Sequence, residues 1–184
     1  MEFDSQFIER LIKNDKAAQR EFYRYFSSKM YGVCLRFAKD VDDANDMMQE
    51  GFIRIFNHIS DFRGEGSLEG WVRRTIINTA INFYKRKMRK SNTVSIDVVA
   101  ERVDKSIHII EKMSVDELMV LIQELPTGYR TVFNLNVIEG YTHKEIGEML
   151  NISENTSKSQ LSRARVALQK KLEKIKKREQ QNKR

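Results

Sequence analysis

The sequence has almost none of the residues that punctuate β-structure or staple small secreted folds. Its 184 residues include one proline, one cysteine and eight glycines. A single cysteine, Cys34, excludes an intramolecular disulfide framework, and no Cys-x-x-Cys pair offers a redox or zinc site. On an amphipathic helix it reads as a small buried hydrophobe. No apolar run approaches the roughly 18 residues a membrane helix needs, and the acidic opening MEFDSQF does not resemble a signal peptide. The expectation is a soluble, cytoplasmic protein with no membrane insertion. Alternation of apolar and polar residues is nearly absent too, so the chain reads as all-α. His58, His108 and His143 have no ligand spacing to the cysteine or to one another, and are expected to be structural or exposed.

What is present is charge, and it is segregated. Lys and Arg number 33 against 26 acids, a net of +7. Residues 40–50 contain five carboxylates and no cation, whereas residues 73–90 contain seven cations and no carboxylate. The last 22 residues hold ten cations against two acids. Blocks of this kind point to a polyanion partner more strongly than the overall excess does. An apolar share of 40% supports folded cores. Divided between two domains of roughly 70 residues, such cores bury a modest fraction of their surface, so partners are expected to help stabilise them.

The stretch 42–89 carries the most information. It reads as two long helices joined by a loop marked by Gly64, Gly66 and Gly70, with Ser67 a candidate cap. At about 100° per residue, Ala44, Met48, Phe52, Ile55 and Ile59 share one side of the first helix. Asp46, Gln49, Glu50, Ile53 and Asn57 lie opposite. In the second helix Val72, Ile76, Ala80 and Phe83 line one side, flanked by Ile77, Ile81, Tyr84 and Met88. The opposite stripe is Trp71, Arg74, Asn78, Asn82, Lys85 and Arg89. A solvated face would mix charges of both signs. One face instead suits a basic protein surface and the other suits nucleic acid.

Around this stretch a short helix is predicted over 5–13, capped by Asp4, and a second over 16–39 with Phe22, Phe26, Met30, Val33 and Phe37 inside. Asp42 or Asp43 is the expected cap of the third. The segment 91–114 has no clean period and reads as a linker, with Val94, Ile96, Val98 and Val99 apolar enough to dock on a surface. Beyond it, helices are predicted over 115–124 and 126–139, with Pro126 opening the second and Gly140 closing it. Thr142 and Glu145 form a capping box for a helix over 144–150. A three-residue turn then leads into a helix from 154 to about 177, giving a helix-turn-helix unit. Leu161, Ala164, Leu168 and Leu172 form its inner stripe, while Asn155, Lys158, Ser159, Ser162, Arg163 and Val166 face outward.

The run DMMQEGFIRIF, DFRGEG, GWVRRTIINTAINFYKR resembles region two of the bacterial sigma factors, specifically the compact extracytoplasmic-function group. The block YTHKEIGEMLNISENTSKSQLSRARVALQKKL resembles region four of the same family, and the two occur in the family's order. The resemblance implies a non-enzymatic subunit that binds core RNA polymerase, reads two promoter elements and assists melting, with no cofactor or metal. Asp46, Gln49, Glu50, Ile53 and Phe56 match the motif that grips the polymerase clamp helices. Phe62 and its loop are implied to capture a base flipped from the minus-ten element. Asn78 matches the residue that reads the base, with Arg63, Trp71, Arg74, Asn82, Lys85 and Arg86 around it and Arg73 a further phosphate contact. Thr142, Asn155, Lys158, Ser159, Ser162, Arg163 and Arg165 are implied to meet the minus-thirty-five element. Two residues depart from the family pattern: Ser157 where valine is usual, putting packing on the preceding helix in question, and Gln160 in place of a cation. An anti-sigma factor is the further partner implied, with a monomer when partners are absent. The implied organisation is region two over 1–90, a linker over 91–114, region four over 115–178 and a basic tail over 179–184.

Two other functions fit part of the same residues. A stand-alone helix-turn-helix regulator would carry a receiver domain of alternating strands and helices, and nothing before Ser114 reads that way. A metal-dependent nucleotide hydrolase could use Asp42, Asp46 and Glu50, stacked at every fourth residue, but it needs facing carboxylates that no helix supplies.

Overall fold

The computed structural model describes residues 3–90 and 114–182. Regular structure among them is helical throughout, and the chain divides into two compact units, Met1–Phe83 and Tyr84–Arg184. The expectations for Val94, Ile96, Val98, Val99 and His108 fall outside the described residues.

In the first unit, α1 (Ser5–Ile12) starts where Asp4 accepts the Phe7 N–H at 2.8 Å. α2 (Lys16–Phe37) starts where Asp15 accepts from Ala17 and Ala18. Arg10 reaches the same carboxylate at 2.8 Å, and that hydrogen bond, with the helix N–H groups, holds Asp15 below the usual carboxylate pKa. α2 stops at Phe37, two residues earlier than its pattern suggested, because Ala38 turns extended. α3 (Val41–Asn57) is then capped by Asp40, which accepts the Asp43 N–H at 2.9 Å. Neither Asp42 nor Asp43 is the cap: both fall in the first turn, where their charge complements the helix dipole. A 3-10 turn (Ile59–Asp61) leads through the glycine loop to α4 (Leu68–Lys90).

The apolar stripes meet at the centre of this unit. Phe22, Phe26, Met30 and Val33 of α2 are buried, as are Ala44, Met48, Phe52 and Ile55 of α3 and Val72, Ile76 and Ala80 of α4. Met47 and Thr79, absent from the predicted stripes, are buried as well. Phe3 adds a ring 4.8 Å from Phe7 and 5.5 Å from Phe26, anchoring the start of the chain. Cys34 is wholly buried, and desolvation pushes its thiol up to about 12, so it serves as a hydrophobe.

The second unit comprises α5 (Val115–Gln123), α6 (Thr127–Phe133), α7 (His143–Leu150) and α8 (Glu154–Asn182). α5 opens with a capping box between Ser114 and Glu117. Pro126 sits at the cap of α6 rather than inside it. The predicted helix over 126–139 keeps its extent but changes winding: Asn134–Ile138 form a π turn before Gly140 breaks the chain at φ +79°. Leu121 and Leu125 pack on Ala164, Leu168 and Leu172, joined by half-buried Tyr129 and Phe133. α8 runs five residues beyond its predicted end, with Lys171 reaching back to Glu124.

The turn between α7 and α8 is tight. Asn151 takes the left-handed conformation at φ +58°, and the Ile152 N–H returns to the Gly147 carbonyl at 3.0 Å. A Cβ on Gly147 would lie 2.9 Å from the Ile152 carbonyl oxygen, a backbone atom that moves only with the whole turn. Alanine gains about 1 kcal/mol of helix propensity over glycine, but overpacking of this kind costs about 1–3 kcal/mol. Gly147→Ala should therefore lower the melting temperature of the second unit in thermal circular dichroism. A higher one would show that the turn yields.

Candidate polymerase and nucleic-acid interfaces

The outer face of α3 is the first candidate surface. Asp46 and Gln49 are exposed, and Ile53 stands out with 59% of its surface in solvent. Glu50 is half-buried and held by Arg54 one turn on, at 2.8 Å, so its carboxylate has a fixed direction. Phe56 is different in kind. Its ring lies 5.8 Å from Phe22 and 6.0 Å from Phe52, so it belongs partly to the core. The apolar knob of the face is therefore Ile53.

α4 presents the opposite chemistry. Arg74, Asn78 and Arg86 are exposed, while Trp71, Asn82 and Lys85 are half-buried. Along the same helix, Thr75 donates to the Trp71 carbonyl at 3.0 Å and Thr79 to the Thr75 carbonyl at 2.9 Å. These hydroxyls are therefore spent on the helix backbone. Lys29 of α2 pairs with Glu69 at 2.9 Å and secures the first turn of α4.

Between these helices the loop puts Phe62 6.0 Å from Trp71, the rings tilted by 58°. Gly64 and Gly66 adopt φ +75° and +92°, which only glycine tolerates readily. Phe62, Arg63 and the glycines border a groove of about 580 Å³ whose other wall is α1, with Ser5, Ile8 and Glu9. Asn78 does not line that groove. Phe62 and Arg63 thus come together with α1, while Asn78 stands apart on α4.

In the second unit the capping box predicted at Thr142 is formed: the Glu145 N–H donates to the Thr142 hydroxyl at 3.2 Å, and the Thr142 N–H donates to the Glu145 carboxylate at 2.7 Å. The Thr142 hydroxyl bond, followed by the backbone one, holds Glu145 below its ordinary pKa. Ser153, missed in the sequence, caps α8 by accepting the Thr156 N–H at 2.9 Å. Asn155, Lys158 and Arg165 are exposed, while Ser159, Ser162 and Arg163 are half-buried. Ser159 donates to the Thr156 carbonyl at 3.0 Å. Lys158 pairs with Glu154 at 2.6 Å, and its hydrogen bond holds the Glu154 pKa down.

Both departures from the family pattern turn inward. Ser157 is fully buried, with its hydroxyl 2.9 Å from Nδ1 of His143, so the contact with α7 is a hydrogen bond where an aliphatic contact is usual. Packing there is tight. The half-buried Gln160 lies over Gly128 of α6, its Oε1 3.3 Å from where a Cβ would stand. It fills a helix crossing. Arg130, also missed, is 2% exposed and donates to the Gln123 and Leu125 carbonyls at the end of α5. Its signal was faint: a lone cation on the apolar helix after a proline.

Among the described residues no group of three or more His, Cys, Asp or Glu is placed to hold a metal ion. No helix among them is long and apolar enough to cross a membrane.

Comparison with known proteins adds the family. Residues 22–90 match Sigma-70 region 2, and residues 115–168 match Sigma-70, region 4. The chain is 31% identical over 183 residues to the RNA polymerase sigma-H factor of Pseudomonas aeruginosa, covering 94% of this chain and 95% of that one. It is 29% identical over 176 residues to the ECF RNA polymerase sigma factor SigW of Bacillus subtilis, covering 90% and 94%. Against the ECF RNA polymerase sigma-E factor of Haemophilus influenzae the identity is 26% over 181 residues, covering 92% and 95%. The region-two match occupies the stretch where a receiver domain would have to lie, and the regulator and hydrolase readings find no support. With both regions in order and relatives matched along nearly their whole length, the chain belongs to the extracytoplasmic-function group of RNA polymerase sigma factors, which direct the polymerase to promoters.

Proposed function

We propose that this sigma factor divides its work by surface: the α3 face holds core RNA polymerase, the α4 face and the Phe62 loop hold the opened minus-ten element, and α8 reads the minus-thirty-five element as duplex. The proposal assigns residues 1–90 to the first two tasks, 115–178 to the third, 91–114 to the linker and 179–184 to a basic tail. The observation that carries it is the pair of oppositely charged outer faces on one small helical unit. Exposed acids and amides on α3 suit a basic protein surface, whereas arginines and amides on α4 suit phosphates and unpaired base edges. The protein supplies binding and specificity, and the chemistry of transcription stays with the polymerase. Restraint by an anti-sigma factor belongs to the same proposal. Run-off transcription from candidate promoters with core polymerase is the direct test: transcripts should depend on adding this protein, and promoter-independent output would end the reading.

The division also separates an amide, Asn78, and a cation, Lys158, by step. Asn78 is exposed on α4 and should matter once the strands part. Asn78→Ala is expected to spare duplex promoter binding and reduce permanganate reactivity of unpaired thymines. Lys158 lies in the second turn of α8 and should act on closed duplex. A lost base or phosphate contact costs about 1–3 kcal/mol, so Lys158→Ala should weaken initial binding about tenfold. If the contact is to phosphate, the salt dependence should flatten as well. Impaired duplex binding with normal opening in Asn78→Ala would show that the faces serve the opposite steps.

A further inference from the structure

Glu154 opens α8 and carries no assignment so far. It is not the helix cap, because Ser153 already accepts the Thr156 N–H at 2.9 Å. Glu145, in the first turn of α7, is by contrast tied into a capping box by the N–H and hydroxyl of Thr142. What Glu154 holds instead is Lys158, one turn on, at 2.6 Å. Both side chains stay open to solvent, with 48% of the glutamate and 55% of the lysine exposed. An exposed pair of this kind adds little to stability, so its use lies in what the surface meets.

Lys158 belongs to the face proposed to enter the duplex, and it brings the carboxylate with it. Glu154 stays ionised at neutral pH. The Lys158 hydrogen bond, then the lysine charge, hold the acid below its ordinary pKa, and His143 and Lys144 of α7 act in the same direction. An ionised carboxylate only accepts hydrogen bonds, and an ammonium only donates them. The two touching tips are therefore one acceptor beside one donor. A G·C pair shows the complement of this in the major groove, with O6 and N7 of guanine as acceptors and the cytosine N4 amine as the donor. O6 and the N4 amine are already hydrogen-bonded neighbours within that base pair, so their spacing suits two tips in contact. An A·T pair offers acceptor, donor, acceptor in that order. A carboxylate that takes the adenine amine is then set beside the thymine O4, which repels it.

We infer that Glu154 and Lys158 act as one unit that reads a G·C pair in the minus-thirty-five element, the ammonium on guanine and the carboxylate on cytosine. The inference rests on the reading that α8 meets that element as duplex. The carboxylate has a second effect. It repels phosphates, so it weakens the pull of Lys158 on DNA that lacks the pair and makes a general cation selective.

The test uses full-length protein bound to core RNA polymerase, on duplexes built from one promoter that responds in run-off transcription. Each base pair of its minus-thirty-five element is changed in turn to the other three, and binding is measured by competition. Wild type should prefer G·C over A·T at one position by about tenfold. Glu154→Ala and Lys158→Ala should each cut that preference to about twofold at the same position, and the double variant should go no further. Glu154→Ala should also bind a duplex with a scrambled element about threefold more tightly than wild type, a gain that a lost helix contact cannot produce. Thermal circular dichroism checks that the exposed substitutions leave the fold intact. If Lys158→Ala relaxes a position and Glu154→Ala relaxes none, the glutamate only braces the helix. That result overturns the inference and leaves the α8 reading standing. Relaxation at two different positions also overturns it, because the residues then read separately. If neither variant alters the preference at any position, the α8 reading falls and takes this inference with it.

Discussion

Gln49→Ala combined with Glu50→Lys is expected to abolish co-purification with core RNA polymerase while leaving helical content unchanged. Gln49 is exposed. Glu50 is half-buried and paired with Arg54 at 2.8 Å. Reversing its charge puts a lysine within one turn of that arginine, a like-charge pair that costs the helix about 0.2–0.5 kcal/mol. That is too little to unfold α3, whose opposite side is anchored by buried Met48, Phe52 and Ile55. Reversing a charge against a basic partner is a larger matter, about 2–5 kcal/mol. At roughly tenfold per 1.4 kcal/mol, the complex would then dissociate during a wash. Co-purification at wild-type levels, with the circular dichroism spectrum unchanged, would remove the α3 face from the polymerase interface.

The largest expected loss of stability lies in the other unit. Arg130→Ala removes a buried guanidinium that donates to the Gln123 carbonyl at 2.6 Å and the Leu125 carbonyl at 3.3 Å. These oxygens sit at the negative end of α5, where the helix itself offers no donor. Leaving a buried acceptor unsatisfied costs about 1–3 kcal/mol, and emptying the space of a long side chain adds a cavity, for a total of about 3–5 kcal/mol. A domain of this size has only about 3–10 kcal/mol to lose. The second unit should therefore melt at or below assay temperature while the first unit keeps its own transition. Differential scanning calorimetry of the whole chain would resolve the two. Arg130→Met, which keeps the volume, should be milder than Arg130→Ala if the cavity dominates, and equal to it if the carbonyls do. A second unit that melts unchanged in both variants would show the arginine to be incidental.

The apolar stripes of α2, α3 and α8 were legible because a helix repeats its face every three to four residues, and a single packed side suffices to reveal it. Caps were legible where one candidate stood alone, as at Asp4 and Thr142. Around α3 there were three aspartates in four residues, and the choice of Asp40 depends on where Ala38 leaves the preceding helix. The π turn at Asn134–Ile138 left no trace, since its apolar pattern fits either winding. The inward placement of Ser157 and Gln160 was not legible, for a shared reason. Their direction is set by how α8 crosses α7 and α6, which is a property of two helices and not of one. The groove bordered by Phe62 and Arg63 was foreseen as a loop feature, but its second wall comes from α1, more than fifty residues earlier.

Trp71 is the single tryptophan, half-buried and tilted against Phe62 in the first unit. Its emission is therefore a built-in dye with one address. Selective excitation would follow the unfolding of that unit alone and would leave the melting of α5 to α8 invisible. The indole also stands at the edge of the loop proposed to meet the minus-ten strand, so an oligonucleotide that quenches it reports arrival at that face and at no other. The six tyrosines are spread along the chain and offer no such selectivity.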